Sequence, residues 1–568
     1  MSYTISNYIL DRLKELHIRH VFSVPGDYAS IFLETLVDDK DIELIPNINE
    51  LGVGYATDGY GRFNGAAACS VQYGVGTFSI LNCFAGGLVE RVPMVLIGPT
   101  LSTTSMELER TKGILFHHST GDLSSNYEAM KYATIMAVQV EDNETGPARI
   151  DEALTAMISF KRPVYIEVRQ NVFGEPCTPP TRPLSVDSFD SNPGNIQAAV
   201  DAAWEKISAA SAPVLWYGID IQRFSLQSSA QALVDAGHLL FTTTSLGKTV
   251  LDETQPNFIG TYAGPASPDY TRIVMAATDC PIALGAIITD DYLDIMRDKY
   301  DLMIEASGDE VRVGREHFWH VPLAAFMEGI LGKIKAEGLS PLAYPTRPAV
   351  PAPAPLSPSA SLTYELFYAV MDRWLVAEAH IKESILILGE SSSLYVFGNL
   401  MGLPANSFVA QAAWGSLGHE TGCALGIELA TGKRPLVVAG DGGFMMVCQE
   451  ISSLARQHSN AVVFVMSNAS YTIEQAFVDI KAFSPGGQFA PFDLLPKWDY
   501  LSLAKAFGAD GYSVGTVGEL AALLNELSAP SGKPSLVEVR IPQKDLPPQI
   551  RRLATPGSPL QARRHRGM

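Results

Sequence analysis

The sequence predicts an α/β protein made of three parallel-sheet α/β domains, and three observations lead there. The chain has 568 residues, more than one hydrophobic core holds and enough for three or four domains of ordinary size. Two proline-rich zones punctuate it: Pro176–Pro183 running on to Pro193-Gly194, and Pro341–Pro358 with Pro348-Ala-Val-Pro-Ala-Pro-Ala-Pro355 at its centre. Such composition suits extended connections between domains, so the expected division is 1–180, 195–340 and 360–545, with a tail at 546–568. Finally, each block alternates short β-rich apolar runs with helical patterns, as parallel sheets covered by helices do.

In the first block, Met1 to Leu13 reads as an amphipathic helix without a signal-peptide core. The run Ile42–Ile48 reads as a strand that leads through Asn49 to Glu50 at the start of a glycine-bearing helix. A carboxylate there is either a capping group or a proton handler. Asp27, in Val24-Pro-Gly-Asp27-Tyr28, reads by default as a turn aspartate. Ala66–Tyr73 and Met94–Ile97 are further strand candidates. After Tyr73, Gly74-Val-Gly76-Thr-Phe-Ser79 approaches a dinucleotide fingerprint, but Ser79 replaces its third glycine and Glu90 follows too soon. A plain strand-to-helix turn is the expectation. The adjacent pair His117-His118 is rarer, because neighbouring imidazoles face different ways and titrate near neutrality.

The second block carries strand candidates Pro213–Tyr217 and Leu239–Thr243, and the third Ser384–Leu388 and Arg434–Ala439. In the third, residues 434–440 and 461–467 read as buried strands, while Phe444, Val447, Ile451 and Leu454 recur between them at helical spacing. Parallel strands joined by a right-handed crossover end on the same sheet edge. Asp441 and Asn468 should therefore meet at the carboxyl edge, where open α/β sheets bind ligands. Their oxygens suit an octahedral Mg²⁺ shared with phosphate, and Gly440, Gly442 and Gly443 let backbone approach a diphosphate beside a helix expected to open near Phe444. A bare Gly-Asp-Gly is an ordinary turn; the flanking strands, the helix and the terminal Asn turn it into a site. Glu474 lies within reach of the same edge.

Composition narrows the partners. Apolar residues make up 47% and charged residues 18%, as in globular proteins, and the formal net charge of −20 repels nucleic acid and acidic membranes. No apolar run approaches the roughly 20 residues of a membrane span, so a cytoplasmic location is expected. The cysteines at 69, 83, 177, 280, 423 and 448 form no Cys-x-x-Cys pair and read as buried small residues. The basic run Arg563-Arg564-His565-Arg566 reads as a solvated terminus, with a mobile lid over an acidic-substrate site as the alternative.

Taken together, Asn49-Glu50-Leu51 with Gly59-Tyr-Gly-Arg62, Val24-Pro-Gly-Asp27-Tyr28, Leu115-Phe-His117-His118, Trp414-Gly-Ser-Leu417-Gly418, Gly440-Asp441-Gly442 with Asn468, and Tyr471-Thr-Ile-Glu474 resemble the thiamine-diphosphate-dependent 2-oxo-acid decarboxylases, the pyruvate and indolepyruvate decarboxylase group. The resemblance spans all three blocks in order. It implies a pyrimidine-binding domain, a central domain of modified dinucleotide-binding type and a diphosphate-binding domain. It also implies a homodimer or a dimer of dimers (a homotetramer), each site joining the first domain of one subunit to the third of its neighbour.

By the same resemblance thiamine diphosphate and Mg²⁺ are the cofactors and a small 2-oxo acid is the substrate, decarboxylated without oxidation to an aldehyde and carbon dioxide. Glu50 would hydrogen-bond the pyrimidine ring, and Leu417 would hold the cofactor's two rings in a V. Asp27, His117, His118 and Glu474 would surround the reacting centre. Gly415, Gly440, Gly442, Gly443, Tyr471 and Ile473 would complete the cofactor site, with Asp441, Asn468 and the Ser470 carbonyl on the metal. Tyr292, Leu394 and Ile473 would line the substrate pocket. Members commonly show Asn-Asn and a glycine before Tyr-Thr-Ile-Glu, where this chain has Ser467-Asn468-Ala469-Ser470. A main-chain ligand survives such a change if the backbone keeps its angles. Some pyruvate-selective relatives carry tryptophan at the position of Leu394, which points to an aromatic, branched or long-chain substrate such as phenylpyruvate or indolepyruvate. A pyruvate-selective enzyme, a thiamine-diphosphate carboligase and a non-catalytic dinucleotide-binding module are the alternatives.

Overall fold

The computed structural model describes residues 2–186, 188–349 and 355–555. The basic run 563–566 and the centre of the second proline zone lie outside the described residues. The chain forms two compact units, one of residues 1–188, 421–435 and 447–459, the other of 189–420, 436–446 and 460–568.

The first unit contains a six-stranded sheet of β1 (His20–Ser23), β2 (Glu43–Pro46), β3 (Ala67–Ser70), β4 (Met94–Thr100), β5 (Met136–Val140) and β6 (Val164–Arg169), in the order β2-β1-β3-β4-β6-β5. Every pairing is parallel. The strands are short because both faces are covered: Val95, Ile97, Val164 and Ile166 are wholly buried. The strand order reverses between β1 and β3, the kind of switch point at whose carboxyl edge open α/β sheets bind ligands. The segment after Tyr73 is the expected turn, since Gly74 caps the helix Val75–Glu90. Glu90 bonds Arg62 at 2.7 Å inside the protein.

One group in this core sets a pH dependence. Glu167 on β6, 1% exposed, accepts hydrogen bonds from Gln139 at 2.8 Å and Tyr165 at 3.0 Å, and burial pushes its carboxyl up to about 7. The unfolded chain gives up this proton near the ordinary 4.5. The folded state therefore binds the extra proton between those values, so this contribution is complete below about pH 4.5 and is lost as the pH rises through about 7. Across that window it is worth about 3 kcal/mol. Glu167→Gln, neutral throughout, is expected to flatten the fall in urea midpoint between pH 5 and pH 8; an unchanged slope would refute the assignment.

The second unit contains two sheets. The first has β7 (Pro213–Tyr217), β8 (Leu240–Thr243), β9 (Phe258–Thr261), β10 (Cys280–Leu284), β11 (Ile304–Ser307), β12 (Glu310–Val313) and β13 (Glu316–Trp319), ordered β13-β12-β11-β10-β7-β8-β9. Five strands are parallel, but β12 and β13 are antiparallel, so this sheet is mixed where an all-parallel one was expected. The reason is local: Gly308 (φ 62°) and Gly314 (φ 61°) take the left-handed conformation that tight reversals need. Glu316 and His317 leave the outer strand charged or polar and exposed, which blunts the sheet edge.

The switch point of this sheet, between β7 and β10, is sealed. Gly218 N donates to Leu284 O at 2.9 Å, and a side chain at Gly218 would stand 2.2 Å from the Gly285 carbonyl oxygen.

The last sheet is parallel throughout, with β14 (Ser384–Leu388), β15 (Phe408–Ala410), β16 (Arg434–Gly440), β17 (Val462–Ser467), β18 (Asp510–Val514) and β19 (Ser535–Arg540) in the order β15-β14-β16-β17-β19-β18. The expected strands stand almost to the residue, with Leu436 opposite Val462 and Gly440 opposite Met466. The helical stretch between them differs. It opens at Asp441 rather than near Phe444, runs to Met446, and a separate helix spans Glu450–Arg456. The interruption at 447–449 is bridged by Glu450 N→Val447 O at 3.0 Å and Ser452 N→Gln449 O at 2.9 Å. Phe444, Val447, Ile451 and Leu454 are all buried, so their spacing reported burial while leaving the break unseen. The start of the expected tail forms the helix Pro548–Ala554, whose Arg552 donates to Pro265 O at 2.7 Å.

Among the described residues no helix is long and apolar enough to cross a membrane. All six cysteines are free; Cys177 and Cys448 are half-buried and the other four buried, as small apolar residues would be.

Candidate active site

The expected residues fall into two groups, one in each unit. In the second unit, β14 and β16 flank the point where strand order reverses, and a cavity of about 280 Å³ opens beyond their carboxyl ends. Gly440, Asp441, Gly442 and Gly443 line it from the end of β16, and Asn468, Ser470, Tyr471, Ile473 and Glu474 from the end of β17. Gly415 and Leu417 complete the expected set.

Asp441 organises the floor. Its carboxylate accepts from Gly442 N at 3.0 Å, Asn468 N at 3.1 Å and Ala469 N at 2.6 Å. Burial pushes its carboxyl up to about 6 against those three bonds. A buried carboxylate is tolerated best where a cation stands beside it. Asn468 Oδ1 accepts from Ser470 N at 3.2 Å, while its Nδ2 donates to Thr472 Oγ1 at 2.6 Å. Ala469 holds φ 56°, a left-handed angle costly for alanine, and this turns its N–H onto Asp441. Ser470 is not in that region, so serine stands there without backbone strain. The ring of Tyr471 lies against Gly442, where a side chain would come within 2.2 Å of Tyr471 Cε1. Backbone and hard oxygens thus face one small space, fit for a divalent cation and a diphosphate.

In the first unit the remaining candidates gather at the carboxyl edge of its sheet. Glu50 opens the helix Glu50–Asn64, whose cap is Asn49, accepting from Gly52 N at 2.8 Å. Glu50 is therefore not the capping group. Its Oε1 lies 3.4 Å from where a side chain on Gly76 would stand. Asp27, exposed in the turn after β1, is bonded by Gln72 Nε2. Tyr28 donates to His117 O at 3.5 Å, and its ring meets that of His118 edge-on at 6.3 Å. His118 is left-handed at φ 69°, with its carbonyl oxygen 2.2 Å from where a side chain on Gly74 would project. Strain of this kind persists where surrounding structure enforces it, and functional sites are the commonest such places.

Two expected pocket residues stand elsewhere. Tyr292 is 2% exposed, its hydroxyl accepting from Ser245 N at 3.1 Å and its ring edge-on to Trp216 at 4.9 Å. Leu394 turns into the core of the last sheet. Neither lines the cavity. Sequence reasoning passed over Tyr364, Glu390, Ser391, Ser392, Met466, Thr472 and Phe477, which do. A signal existed for three of them: they follow β14, the other strand at the switch point.

Comparison with known proteins agrees with this geometry. Models of thiamine pyrophosphate enzymes match residues 3–122 (N-terminal thiamine pyrophosphate binding domain), 200–334 (central domain) and 393–539 (C-terminal thiamine pyrophosphate binding domain). An alpha-keto-acid decarboxylase of Mycolicibacterium paratuberculosis is 30% identical over 567 residues, covering 98% of this chain and 97% of the relative. The chain belongs to the 2-oxo-acid decarboxylase family of thiamine pyrophosphate enzymes. The alpha-keto-acid decarboxylase of Mycobacterium leprae is 29% identical over 98% of this chain and 95% of its own length. A "probable pyruvate decarboxylase" of Schizosaccharomyces pombe is 29% identical over 95% and 94%. The resemblance carried by the motifs, the three-sheet α/β class and the assignment to thiamine-diphosphate-dependent decarboxylases all stand.

Proposed function

We propose that this decarboxylase acts on an aromatic, branched or long-chain 2-oxo acid, with Mg²⁺ and thiamine diphosphate in the cavity beyond β14 and β16. The observation that carries the reading is the convergence of Asp441, Asn468 and Ser470 with Leu417, Ile473 and Glu474 on one cavity. Asp441, the amide oxygen of Asn468 and the carbonyl of Ser470 would hold the metal, and Gly442 and Gly443 would let the diphosphate close on the backbone. Bound thiamine diphosphate supplies a nucleophilic carbon and a sink for the electrons released when carbon dioxide departs. Leu417 would prop the cofactor's rings apart. Glu474 would face the departing carboxylate, with Ile473, Met466 and Phe477 giving an apolar wall that favours charge dispersal. Of the helix Ser392–Phe397 only Ser392 lines the cavity, so no ring from it narrows the substrate end.

The other half of the site is proposed to come from a neighbouring copy, in a homodimer or dimer of dimers. Glu50 of that copy would hydrogen-bond the cofactor's pyrimidine, with Asp27, His117 and His118 handling protons. Exposure of Asp27, His117 and His118 in the single chain supports this, since reactive groups need a cover that excludes water. The domains proposed are 1–180, 195–340 and 360–545. Six free cysteines suit the reducing cytoplasm.

The test is a panel of 2-oxo acids supplied with Mg²⁺ and thiamine diphosphate, read through an aldehyde-consuming alcohol dehydrogenase. Phenylpyruvate, indolepyruvate or a branched acid is expected to exceed pyruvate in kcat/KM by about tenfold, the value of one or two well-placed methylenes. A strong preference for pyruvate would overturn the substrate class, and acyloin in place of aldehyde would make the protein a carboligase.

A further inference from the structure

The loop that carries His117 and His118 is held by a carboxylate that the proposed reaction does not use. On the helix Thr103–Lys112 the buried residues are Met106 and Glu109, one turn apart. Met106 clusters with Tyr28, Tyr73 and Leu101, and Phe116 of the loop packs against them. An apolar residue at 109 would extend that cluster, yet a glutamate 9% exposed stands there. Its Oε1 accepts from Ser119 Oγ at 2.5 Å, while its Oε2 is buried without a hydrogen-bond partner among the described residues. A half-satisfied buried carboxyl is costly, and native interiors keep few of them. Its bond to Ser119 is the reason to keep this one.

Ser119 directly follows the histidine pair. Its N–H donates to Phe116 O at 3.1 Å, closing a turn around His117 and His118, and its Oγ accepts from Gly121 N at 3.1 Å. The single proton of the hydroxyl goes to Glu109. Both histidines are exposed, as are Ile114 and Leu115 before them, so beyond Phe116 packing does little to hold the turn. His118 also sits at φ 69°, which a residue with a β-carbon keeps only where its surroundings enforce it. Two holds flank it: the His118 carbonyl oxygen rests against Gly74, whose N–H donates to the buried Asn126 at 3.1 Å, and Ser119 is tied to Glu109.

We propose that Glu109 is a positioning residue for the histidine pair, anchoring through Ser119 the turn that presents His117 and His118 to the reacting centre. The consequence for catalysis rests on the reading of those histidines as proton handlers; the anchoring does not. A group that acts this way works by geometry, so its acceptor oxygen matters more than its charge. Glu109→Gln keeps that acceptor. Glu109→Met removes it and fills the same space beside Met106, so the fold is expected to be at least as heat-stable as that of the unsubstituted protein. Positioning and folding are thereby separated.

Hydrogen–deuterium exchange of the cofactor-free protein, read by mass spectrometry on peptides covering 114–120, tests the anchor directly. Exchange there is expected to be about tenfold faster in Glu109→Met and in Ser119→Ala, and to keep the unsubstituted rate in Glu109→Gln. An unchanged rate in Glu109→Met overturns the proposal, and so does fast exchange in Glu109→Gln. Should Glu109→Met not fold, Ser119→Ala carries the same test, and an unchanged rate there overturns the proposal too.

Kinetics with the best 2-oxo acid give the second arm. Glu109→Met and Ser119→Ala are each expected to lower kcat by about 10–100-fold with KM little changed, and Glu109→Gln to stay within about threefold. The double variant Glu109→Met, Ser119→Ala is expected to lose no more than either single one, because both act along one line. Losses that multiply would overturn the link through Ser119. If exchange quickens while kcat holds, the anchor stands and the histidines are not the proton handlers.

Discussion

Glu50→Gln is expected to lower 2-oxo-acid decarboxylation by about 10²–10⁴-fold while leaving thiamine diphosphate affinity within a few fold. The two effects separate because the substitution keeps shape and removes only the ionised carboxylate proposed to meet the far end of the cofactor. Glu50 carries no structural duty that glutamine would fail: Asn49 caps the helix, and Gly52 N is satisfied by Asn49. Steady-state kinetics with the best acid of the panel, set beside calorimetric titration with Mg²⁺ and thiamine diphosphate, check both halves. Turnover near that of the unsubstituted enzyme would remove the proposed activation by Glu50; a large loss of affinity would assign it to anchoring instead.

Asp441→Ala is expected to do the reverse, cutting thiamine diphosphate affinity in Mg²⁺ by about 100-fold or more. This carboxylate is both the proposed charged metal ligand and the acceptor for three backbone N–H groups, so its removal also releases the turn at 468–469. Calorimetric titration with and without Mg²⁺ reads the loss, and an affinity that stays metal-dependent and tight would reject Asp441 as the ligand. The two variants together test assembly. Mixed oligomers of Glu50→Gln and Asp441→Ala chains would place both defects at one shared site and leave the other whole, regaining up to about half the activity per dimer. No recovery in verified mixed oligomers would mean that each chain completes its own site.

Much of this site could be read before any coordinates because its parts lie just past strand ends. Arg434–Gly440 and Val462–Ser467 are buried on both faces, and parallel strands so covered read as unbroken apolar runs. The polar residues that stop those runs, Asp441 and Asn468, then fall on the same edge whatever lies between. The break at 447–449 was not legible, since burial repeats across two helices as it does along one. Side-chain direction in a turn was harder still. The resemblance marks Tyr292 as a pocket residue, yet in the 3-10 turn Asp290–Tyr292 its ring packs on Trp216 while its neighbour Asp291 meets Tyr395. Leu394 illustrates the same limit, because six residues of helix carry no periodicity long enough to tell the core side from the cavity side. The antiparallel run β11-β12-β13 was hidden by a general expectation of parallel sheets, although a glycine stands in each of its two turns, Gly308 and Gly314.

The seal over the middle sheet bears on what this scaffold can become. Where Gly218 meets Gly285 and Ala286, main chain touches main chain, and a side chain added at Gly218 would lie 2.2 Å from the Ala286 Cα. Trimming residues cannot hollow out that junction, because nothing there is left to trim. Selection or engineering for a nucleotide effector in the middle third would have to lengthen or reroute a loop, whereas new substrate preferences need only exchange side chains around the cavity beyond β14.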